Sequence, residues 1–348
     1  MDKSEKVRSG KRRTLLIILG IVLALILVAM IVIIVWGKVL LGKINRVDGP
    51  VDIMSQEEQE AIRNETDAID PDFDGPIMDS DQTEMPDGPA DTVPDAKNII
   101  NILLVGQDRL PGQGRQRSDA MILCTVNKKE KTLVMTSFMR DTWIRIPGYY
   151  DERLNVPYAV AGFDLLNETL EYNFGVKADH MIEVDFSGFE KVIDRVGGVD
   201  ITLTASEANH LNGEFGWYLS KGANHLTGAQ ALQYARIRAI DNDFKRTNRQ
   251  RTVLNALFSQ VKNLSVSELY KFVEGVLPFV TTDMTDGEIL GYVLEIAPIL
   301  SDLQLVSQRI PMDGAYAFAS IDKKSVLYLN PENLEKNKQL LIDTIGNN

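Results

Sequence analysis

An uncharged apolar run of 23 residues, Thr14–Trp36, constrains the chain more than any other feature of its sequence. As a helix it would be roughly 35 Å long, enough to cross the hydrocarbon core of a bilayer with some tilt. Trp36 ends the run, where an interfacial aromatic side chain is expected. A cleavable signal peptide would instead have a shorter apolar region followed by small residues. The run therefore predicts one retained transmembrane helix over residues 14–36.

The charges on either side of this run predict its orientation. Residues 1–13 contain six Lys or Arg side chains, whereas only Lys38, Lys43 and Arg46 follow closely after the run. By the positive-inside rule, residues 1–13 form a cytoplasmic tail and the chain beyond Trp36 is extracellular. The predicted location is therefore the cell membrane, crossed once.

Residues 37–96 are predicted to form an acidic, disordered linker. Between residues 47 and 96 there are sixteen Asp or Glu, one Arg and six of the thirteen prolines. Low hydrophobicity combined with a high net charge leaves too little apolar surface to offset the entropy of folding. The remainder, residues 97–348, is mildly acidic, which is unlike a nucleic-acid-binding domain.

Strand-like and helix-like stretches alternate from residue 97 onward. Asn98–Gly106, Ala120–Val126 and Thr132–Phe138 have the apolar content of buried strands. Further strands are predicted at 181–186, 199–203 and 303–310, and helices at 162–174, 188–195, 228–234, 243–264, 267–280, 286–300 and 333–345. Residues 97–346 are therefore predicted to be one α/β domain, an α-β-α sandwich with a mixed central sheet and helices on both faces.

A concentration of positive charge lies at residues 234–251, which read YARIRAIDNDFKRTNRQR. Arg236 and Arg238 are two apart in a stretch that looks extended, so they are expected to share a face. In the helix that follows, Arg246, Arg249 and Gln250 have the spacing of neighbours on one surface. Guanidinium groups at a helix start are well suited to bind phosphate oxygens. The alternative is a solvated basic helix.

Two aspartates flank the loop between the first two predicted strands. Asp108 follows one strand, and Asp119 precedes the next, after Arg117-Ser118. Such a pair would meet at one edge of the sheet, where it could hold Mg²⁺ or Mn²⁺ together with phosphate oxygens and water. The alternative is that both aspartates cap turns, as this residue type commonly does.

Arg140 follows the third apolar strand and precedes Asp141. A guanidinium beside a buried strand needs an anion, which would be either a ligand or an internal carboxylate. Positive clamps together with an acidic metal pair are the combination that pyrophosphate requires. The single cysteine, Cys124, is expected to be a packed core thiol. The three histidines, His180, His210 and His225, lack the spacing of metal ligands.

The predicted domain resembles the LytR–CpsA–Psr family, whose members transfer glycopolymers from polyprenyl-pyrophosphate carriers to the Gram-positive cell wall. The order and spacing of the shared motifs carry the resemblance, which covers most of residues 97–262. The motifs are NILLVGQD (101–108), RSD (117–119), SFMRD (137–141), IPGYYDERLN (146–155), FSGFEKVIDRVGGVD (186–200), HLTGAQALQYARIR (225–238) and DFKRTNRQR (243–251).

The resemblance implies roles for particular residues. Asp108 and Asp119 would hold Mg²⁺, with Asp119, Arg117 and Arg140 as the catalytic residues. The phosphate-binding residues would be Arg236, Arg238, Arg246 and Gln250, beside Arg249 from the charge cluster. A lipid tail would lie among apolar residues between the sheet and the helices. The residues expected there, for which ordinary core packing is the alternative, are Phe163, Leu166, Leu170, Phe186, Phe189, Val253 and Leu257.

The implied activity is a membrane-anchored phosphotransferase that moves a teichoic acid, a capsule polysaccharide or another secondary wall polymer from polyprenyl pyrophosphate to peptidoglycan. A pyrophosphatase side activity could accompany it. The residues leave the general base open between Asp119 and Asp141. The alternative function is a non-catalytic, polyprenyl-phosphate-binding regulator of envelope assembly. Nucleic acid is not an expected partner, because the predicted domain is extracellular.

Overall fold

The computed structural model describes residues 45–46, 52–68, 73–86, 89–90, 98–107, 114–241, 243–265, 268, 271–272 and 275–346. The predicted cytoplasmic tail, residues 1–13, and the predicted transmembrane helix, residues 14–36, lie outside this part of the chain. Among the residues described, no helix combines the length and the apolar character needed to cross a bilayer. The membrane anchor therefore stays a prediction.

The described part of the chain contains short and long strands numbered here in chain order. They are β1 (Asn45–Arg46), β2 (Ile77–Met78), β3 (Ile99–Gln107), β4 (Ser118–Asn127), β5 (Thr132–Phe138), β6 (Trp143–Ile144), β7 (Glu152–Arg153), β8 (His180–Asp185), β9 (Val199–Leu203), β10 (Gly222–Leu226), β11 (Thr281–Thr282), β12 (Gln304–Ile310), β13 (Ala317–Ile321) and β14 (Lys324–Tyr328).

The helices are numbered in the same way. They are α1 (Gln56–Arg63), α2 (Val156–Phe174), α3 (Phe186–Arg195), α4 (Ala205–Phe215), α5 (Gly228–Arg236), α6 (Asp243–Val261), α7 (Asp286–Ile296) and α8 (Pro331–Leu341).

Seven strands form the central sheet, in the order β1-β11-β8-β3-β4-β5-β12. Strands β3, β4 and β5 are antiparallel neighbours, since short connections join them. Strand β8 runs parallel to β3, and β12 runs parallel to β5, after longer crossovers. The prediction of an α/β fold around a mixed central sheet is confirmed.

The sheet has apolar residues on both faces, because successive residues of a strand point to opposite sides. On one face, strand residues pack with helices α2 and α8 in a fully buried core. This core includes Leu103, Val105, Met121 and Leu123 from the strands and Leu166, Leu170 and Leu341 from the helices. On the other face, the intervening strand residues pack with helices α6 and α7. Helices therefore cover both faces, as predicted.

A second apolar core lies beyond the sheet. The antiparallel pair β9–β10 packs against helices α3, α4 and α5, with Leu211 and Leu226 fully buried between them. Helix α6 contributes Val253 to this core, while Leu254 of the same helix packs on the sheet. Helix α6 is thus shared between the two layers, and its first turn lies where they meet.

The acidic segment before residue 97 differs from the predicted disordered linker wherever the structure describes it. Helix α1 begins with a capping box in which Ser55 and Glu58 bond each other's backbone N–H groups. Ile62 of this helix is buried in the main core, and its carbonyl accepts a hydrogen bond from Lys324 at 3.2 Å. Strand β2 pairs with β13. Local capping and one well-placed apolar residue outweigh the average composition of the segment.

Candidate active site

A cavity of about 400 Å³ opens where the start of β4, the end of α5 and the first turns of α6 come together. Helix α4 and the first residue of α3 complete its wall. The lining residues are Asp119, Phe186, His210, Glu214, Phe215, Gln233, Ala235, Arg236, Ile237, Arg238, Ala239, Arg246 and Gln250. Five of the predicted polar site residues therefore share one cavity.

Asp119 and Arg140 form the ion pair at the edge of the sheet. Asp119 is the second residue of β4, and Arg140 lies two residues beyond the end of β5, the neighbouring strand. Arg140 Nη1 donates a hydrogen bond to Asp119 Oδ1 at 2.8 Å. Arg238 Nη2 lies 3.6 Å from the same oxygen. The carboxylate thus holds two guanidinium groups together beside the cavity.

Two further carboxylates surround Arg140. Its Nε lies 3.4 Å from Asp141 Oδ2 and 3.8 Å from Asp243 Oδ1. Burial alone would lower the pKa of Arg140, but Asp141, Asp243 and Asp119 together raise it. Burial also raises the pKa of Asp141, against the opposing effect of Arg140. Arg140 therefore forms the internal ion pairs that were the predicted alternative, and it also binds Asp119 beside the cavity.

Arg246 is the most deeply buried cation that lines the cavity, with 2% of its surface exposed. Its Nη2 bonds Asp243 Oδ1 at 2.5 Å, one turn earlier in α6. Its Nε and Nη1 are buried and have no hydrogen-bond partner among the described residues. Burial lowers the pKa of Arg246, although Asp243 opposes that effect. Two unsatisfied N–H donors on a desolvated cation are a strong requirement for an anion.

Arg236 and Arg238 are exposed at the cavity wall. The prediction that both lie in one extended stretch is wrong, because Arg236 is the last residue of helix α5. Ile237 leaves the helical conformation and is buried, so the side chains before and after it still reach the same cavity. The Arg236 guanidinium carbon lies 4.1 Å from the centre of the Phe186 ring, a cation–π contact.

Arg249 does not join the predicted phosphate-binding set in the structure. Its Nη1 and Nη2 bond both carboxylate oxygens of Asp241, at 2.8 and 2.7 Å. Nη2 also donates to the Ile237 carbonyl at 2.7 Å, and Glu207 lies 3.4 Å from Nη1. The reason is helical geometry, since successive residues are about 100° apart around the helix and Arg249 and Gln250 therefore point in different directions. Gln250 therefore lines the cavity while Arg249 fastens the loop before α6.

Arg117 also lies apart from the cavity lining. Its Nη2 pairs with Glu65 Oε2 at 2.6 Å, in the segment that was predicted to be a linker. The sequence could not reveal this pair, because the two residues are 52 positions apart. The predicted catalytic role of Arg117 thus has no support in the contacts of this side chain.

Asp108, one of the two predicted metal ligands, lies outside the described residues. Gln107, the residue before it, pairs in register with Ser118, the residue before Asp119. Among the described residues, no group of three or more His, Cys, Asp or Glu side chains has the arrangement of a metal site. Asp119 lines the cavity, and a quarter of its side chain is exposed. Its carboxylate oxygens are of the ligand type that Mg²⁺ needs.

The seven predicted lipid-binding residues are divided between different parts of the fold. Phe163, Leu166 and Leu170 belong to the core on the α2 face of the sheet. Phe189, Val253 and Leu257 pack in the second core, around β9 and β10. Of the seven, only Phe186 lines the cavity. Leu166, Leu170 and Val253 thus have the core role that was the alternative, whereas Phe163, Phe189 and Leu257 are half-buried and pack against those cores.

An apolar gap on the other face of the sheet was not predicted. Ile102, Leu104 and Cys124 lie on central strands and face Leu254 and Phe258 of α6, yet all five are only half-buried. Burial raises the pKa of the Cys124 thiol to about 12. The partial exposure of all five residues indicates loose packing between the sheet and the helices, and this region is called here the apolar gap.

Helix α6 carries residues of both the cavity and the gap. Arg246, Gln250, Leu254 and Phe258 follow one another at intervals of four residues, which places them along one side of the helix. The first two line the cavity, and the last two line the gap. This spacing was visible in the sequence and could have identified the gap residues. The same side of α6 thus changes from cationic to apolar over about 18 Å.

Helix α4 supplies His210, Glu214 and Phe215 to the cavity, and none of them was predicted. The helix begins at a capping box formed by Thr204 and Glu207, a sequence signal that could have revealed it. Phe215 stacks on Trp217 with 4.8 Å between ring centres. The cavity is therefore lined by aromatic and acidic residues of α4 as well as by cationic residues.

Comparisons with known proteins agree with this arrangement. The model of the LytR_cpsA_psr family matches residues 55–341. Regulatory protein MsrR of Staphylococcus aureus is 32% identical over 249 residues, which cover 70% of this chain and 73% of MsrR. TagT of Bacillus subtilis, whose name is polyisoprenyl-teichoic acid–peptidoglycan teichoic acid transferase, is 31% identical over 231 residues, 58% of this chain and 71% of TagT.

Solved structures of TagT are similar as well. The structure of TagT bound to LIIa-WTA superposes with a TM-score of 0.59 at 28% identity, covering 72% of this chain and 92% of that one. A TagT structure with bound octaprenyl pyrophosphate gives a TM-score of 0.54 at 26% identity, with the same coverage.

Proposed function

The chain belongs to the LytR–CpsA–Psr family, and we propose that it is a membrane-anchored, extracellular phosphotransferase that moves a glycopolymer from polyprenyl pyrophosphate to peptidoglycan. The observation that carries the proposal is Arg246, which presents two buried, unsatisfied N–H donors at a cavity shared with Arg236, Arg238 and Asp119. The transferase names of TagT and of a second Bacillus subtilis relative, polyisoprenyl-teichoic acid–peptidoglycan teichoic acid transferase TagV, support it. Those names also favour teichoic acid as the polymer, over a capsule polysaccharide.

In the proposed reaction, a hydroxyl of the wall glycan attacks the phosphorus that bears the first sugar of the polymer. The acceptor oxygen forms a bond to that phosphorus, and the bond from the phosphorus to the bridging oxygen breaks. Polyprenyl phosphate leaves with the electron pair, and the hydroxyl proton passes to a carboxylate. Arg246, Arg238 and Arg140 offset the charge that develops on the phosphate oxygens.

Asp119 is the better placed of the two candidate general bases. It lines the cavity, whereas Asp141 is not among the lining residues and packs around Arg140 with Asp243. A base must come within hydrogen-bond reach of the attacking hydroxyl. We therefore propose that Asp119 accepts the proton of the attacking hydroxyl and that Asp141 positions Arg140.

A divalent cation, Mg²⁺ or Mn²⁺, is part of the proposal. Asp119 and Asp108 would hold it, and when bound it would neutralise charge on the pyrophosphate oxygens. Asp119 already binds Arg140 through Oδ1. A pair of this kind fixes the carboxylate and keeps it turned toward the cavity.

The half-buried gap between the sheet and α6 is the proposed site of the lipid tail, in place of the residues first expected. Ile102, Leu104, Cys124, Leu254 and Phe258 give it apolar walls, and it begins next to Arg246 and Gln250. Burial of apolar surface stabilises a bound chain by about 0.8 kcal/mol per CH₂ group, so even a short stretch of gap contributes much to affinity. The TagT structure with bound octaprenyl pyrophosphate supports a polyprenyl ligand.

The second candidate function is a regulator that binds polyprenyl phosphates without catalysis. The name of the relative MsrR, a regulatory protein, favours it. Such a protein would need the cavity and the gap but no acceptor and no base.

One experiment separates the two functions. The full-length chain is placed in vesicles with a lipid-linked saccharide, Mg²⁺ and peptidoglycan fragments, and attached saccharide is measured by mass spectrometry. The transferase is expected to form product, and EDTA or Asp119→Ala should abolish it while circular dichroism stays unchanged. Tight lipid binding by the wild type without any product would favour the regulator. A topology reporter fused after residue 46 tests the proposed extracellular location.

A further inference from the structure

The outer face of helix α7 carries an apolar stripe that the chain leaves exposed. Leu290 is 50% exposed, Val293 40% and Leu294 66%. Ala297 and Pro298, which follow the helix, are exposed too. These five positions have the spacing of one helical face. Soluble proteins rarely expose a contiguous apolar surface of this kind without a partner.

The inner face of the same helix lines the apolar gap. Tyr292 and Ile296 pack with the half-buried residues of the sheet and of α6. Helix α7 is therefore apolar on two sides, one toward the gap and one toward the surroundings. A helix that is apolar nearly all round is typical of a lipid-contacting or deeply buried position.

The charged residues at the edges of the stripe are already satisfied. Glu288 accepts hydrogen bonds from Thr285 in a capping box at the start of α7. Glu295 pairs with Lys128 at 2.5 Å. Both carboxylates therefore keep a hydrogen-bond or ion-pair partner within the protein if an apolar surface approaches the stripe.

The chain enters the described domain next to this helix. Strand β1 pairs with β11, and Arg46 forms an ion pair with Asp286, the first residue of α7. Only eight residues separate Trp36, the end of the predicted membrane span, from Asn45. Eight residues reach at most roughly 30 Å. A short length of chain therefore joins the predicted span to the strand that pairs beside α7.

We propose that the stripe formed by Leu290, Val293, Leu294, Ala297 and Pro298 rests in the interface of the bilayer. There it would allow the polyprenyl donor to pass directly from the membrane into the gap behind α7. The donor-loading role rests on the function proposed above, whereas the contact with the bilayer rests only on the predicted membrane span and the exposed stripe. An apolar helix face at this interface is favourable because it buries the stripe away from water.

The contact is tested with a fluorophore on the full-length chain. In a Cys124→Ser background, a polarity-sensitive label is attached at Leu294→Cys and, as the matched control, at Tyr218→Cys, whose native side chain is 99% exposed. Both proteins are reconstituted in phosphatidylglycerol–phosphatidylethanolamine vesicles. The label at 294 should shift to the blue and resist quenching by aqueous iodide, while the label at 218 should do neither. Equal quenching at the two positions would overturn the proposal.

Donor loading is tested with the double substitution Leu290→Glu/Leu294→Glu. Transfer from a vesicle-borne donor should fall by roughly tenfold, because two carboxylates would have to leave water at the interface. Transfer from a detergent-soluble, short-chain donor should match the wild type. Val306→Glu, at another exposed apolar residue on β12, is the control and should leave both rates unchanged. Undiminished vesicle transfer by the double variant would contradict donor loading.

Two other results have distinct meanings. A blue shift in detergent without vesicles that grows with protein concentration would assign the stripe to a second copy of the chain and overturn the proposal. A wild type that forms no transfer product would end the transferase function, while the fluorescence comparison would still decide the contact with the bilayer.

Discussion

Arg246 and Arg249 are both buried in helix α6, yet their guanidinium groups have different surroundings. Arg249 is held by Asp241, Glu207 and the Ile237 carbonyl. Arg246 bonds Asp243 alone among the described carboxylates, and both its Nε and its Nη1 lack a partner, whereas in Arg249 only Nε does. A buried cation with unsatisfied donors is costly unless an anion binds there, so the two residues should respond differently to substitution.

The substitution Arg246→Lys should weaken pyrophosphate binding. Lysine keeps the charge but loses the planar fork, and a charge-assisted hydrogen bond is worth about 1.5–3 kcal/mol, or roughly 10- to 100-fold in affinity. Isothermal titration with polyprenyl pyrophosphate measures the effect. The control is Arg251→Lys, on the same helix but outside the cavity lining, which should bind like the wild type. Equal affinities for both variants would remove Arg246 from the phosphate site.

The substitution Arg249→Met should act on stability. Breaking a buried ion pair from one side typically costs about 3–5 kcal/mol, because a carboxylate is left without its partner. Here Glu207 is buried and would be that carboxylate. Denaturant unfolding should show the loss, while the folded fraction keeps its affinity for polyprenyl pyrophosphate. A variant of unchanged stability that no longer binds would restore the phosphate-binding role first predicted.

For single residues, the sequence predicted which side chains belong to the site better than it predicted which way each side chain turns. Asp119, Arg238, Arg246 and Gln250 were expected to meet, and they line one cavity. Arg117 and Arg249 have the same side chains in the same motifs but turn toward Glu65 and Asp241. The partner of Arg117 is set by the packing of a distant segment, and that of Arg249 by its position around helix α6. Neither can be predicted from a sequence motif.

Among the elements, helix α6 connects the cavity with the gap. Gln250 lines the former and Leu254 the latter, one turn apart. The lipid residues first predicted on α2 lie on the face of the sheet opposite to α6. Alternate residues of β3 and β4 point to one face or the other, so both faces are apolar. Periodicity predicted the helices and strands, but it could not tell which of two apolar faces is tightly packed.

The substitution Leu254→Trp should fill the gap. Affinity for polyprenyl pyrophosphate should then drop, while inorganic pyrophosphate should bind as it does to the wild type, since the cavity is unchanged. Calorimetry with both ligands measures the difference. The control is Leu166→Ala, which should reduce stability by about 2–5 kcal/mol through the cavity it leaves, without changing lipid affinity. If Leu166→Ala alone weakened lipid binding, the tail would lie on the α2 face.

The antiparallel pair of β9 and β10 contains a histidine whose charge depends on its partners. His225 Nδ1 lies 2.8 Å from Asp200 Oδ1, and Nε2 lies 2.7 Å from the Gly197 carbonyl. Both partners can only accept, so both nitrogens donate in the protonated ring. The hydrogen bond to Asp200, followed by the one to Gly197, raises the pKa of His225.

This contribution to stability should be complete below the unfolded pKa of about 6.5 and should disappear as the pH rises through the higher folded pKa. Proton NMR of the His225 ring measures the folded pKa directly. Asp200→Asn removes the charged acceptor and should lower that pKa. A His225 pKa that is insensitive to Asp200→Asn would contradict the assigned contacts.

At the scale of the whole molecule, the acidic segment is part of the domain where it is described. Lys324 and Glu152 form a fully buried ion pair, and Lys324 also bonds the carbonyl of Ile62 in α1. The family match begins at residue 55, well before the predicted boundary at 97. Composition could not predict this, because the contacts that join the segment to the domain come from residues more than 50 positions away.

The central claim is that the polymer, with its own phosphate, passes to the wall while polyprenyl monophosphate leaves. The most direct test is the ratio of these two products in one reaction of the full-length chain in vesicles, with a radiolabelled lipid-linked saccharide, peptidoglycan and Mg²⁺. The account predicts one polyprenyl monophosphate for each saccharide attached, with both products lost in Asp119→Ala. Release of polyprenyl monophosphate without attachment would show a hydrolase, and the absence of both products in the wild type would show a binding protein; either result would contradict the account.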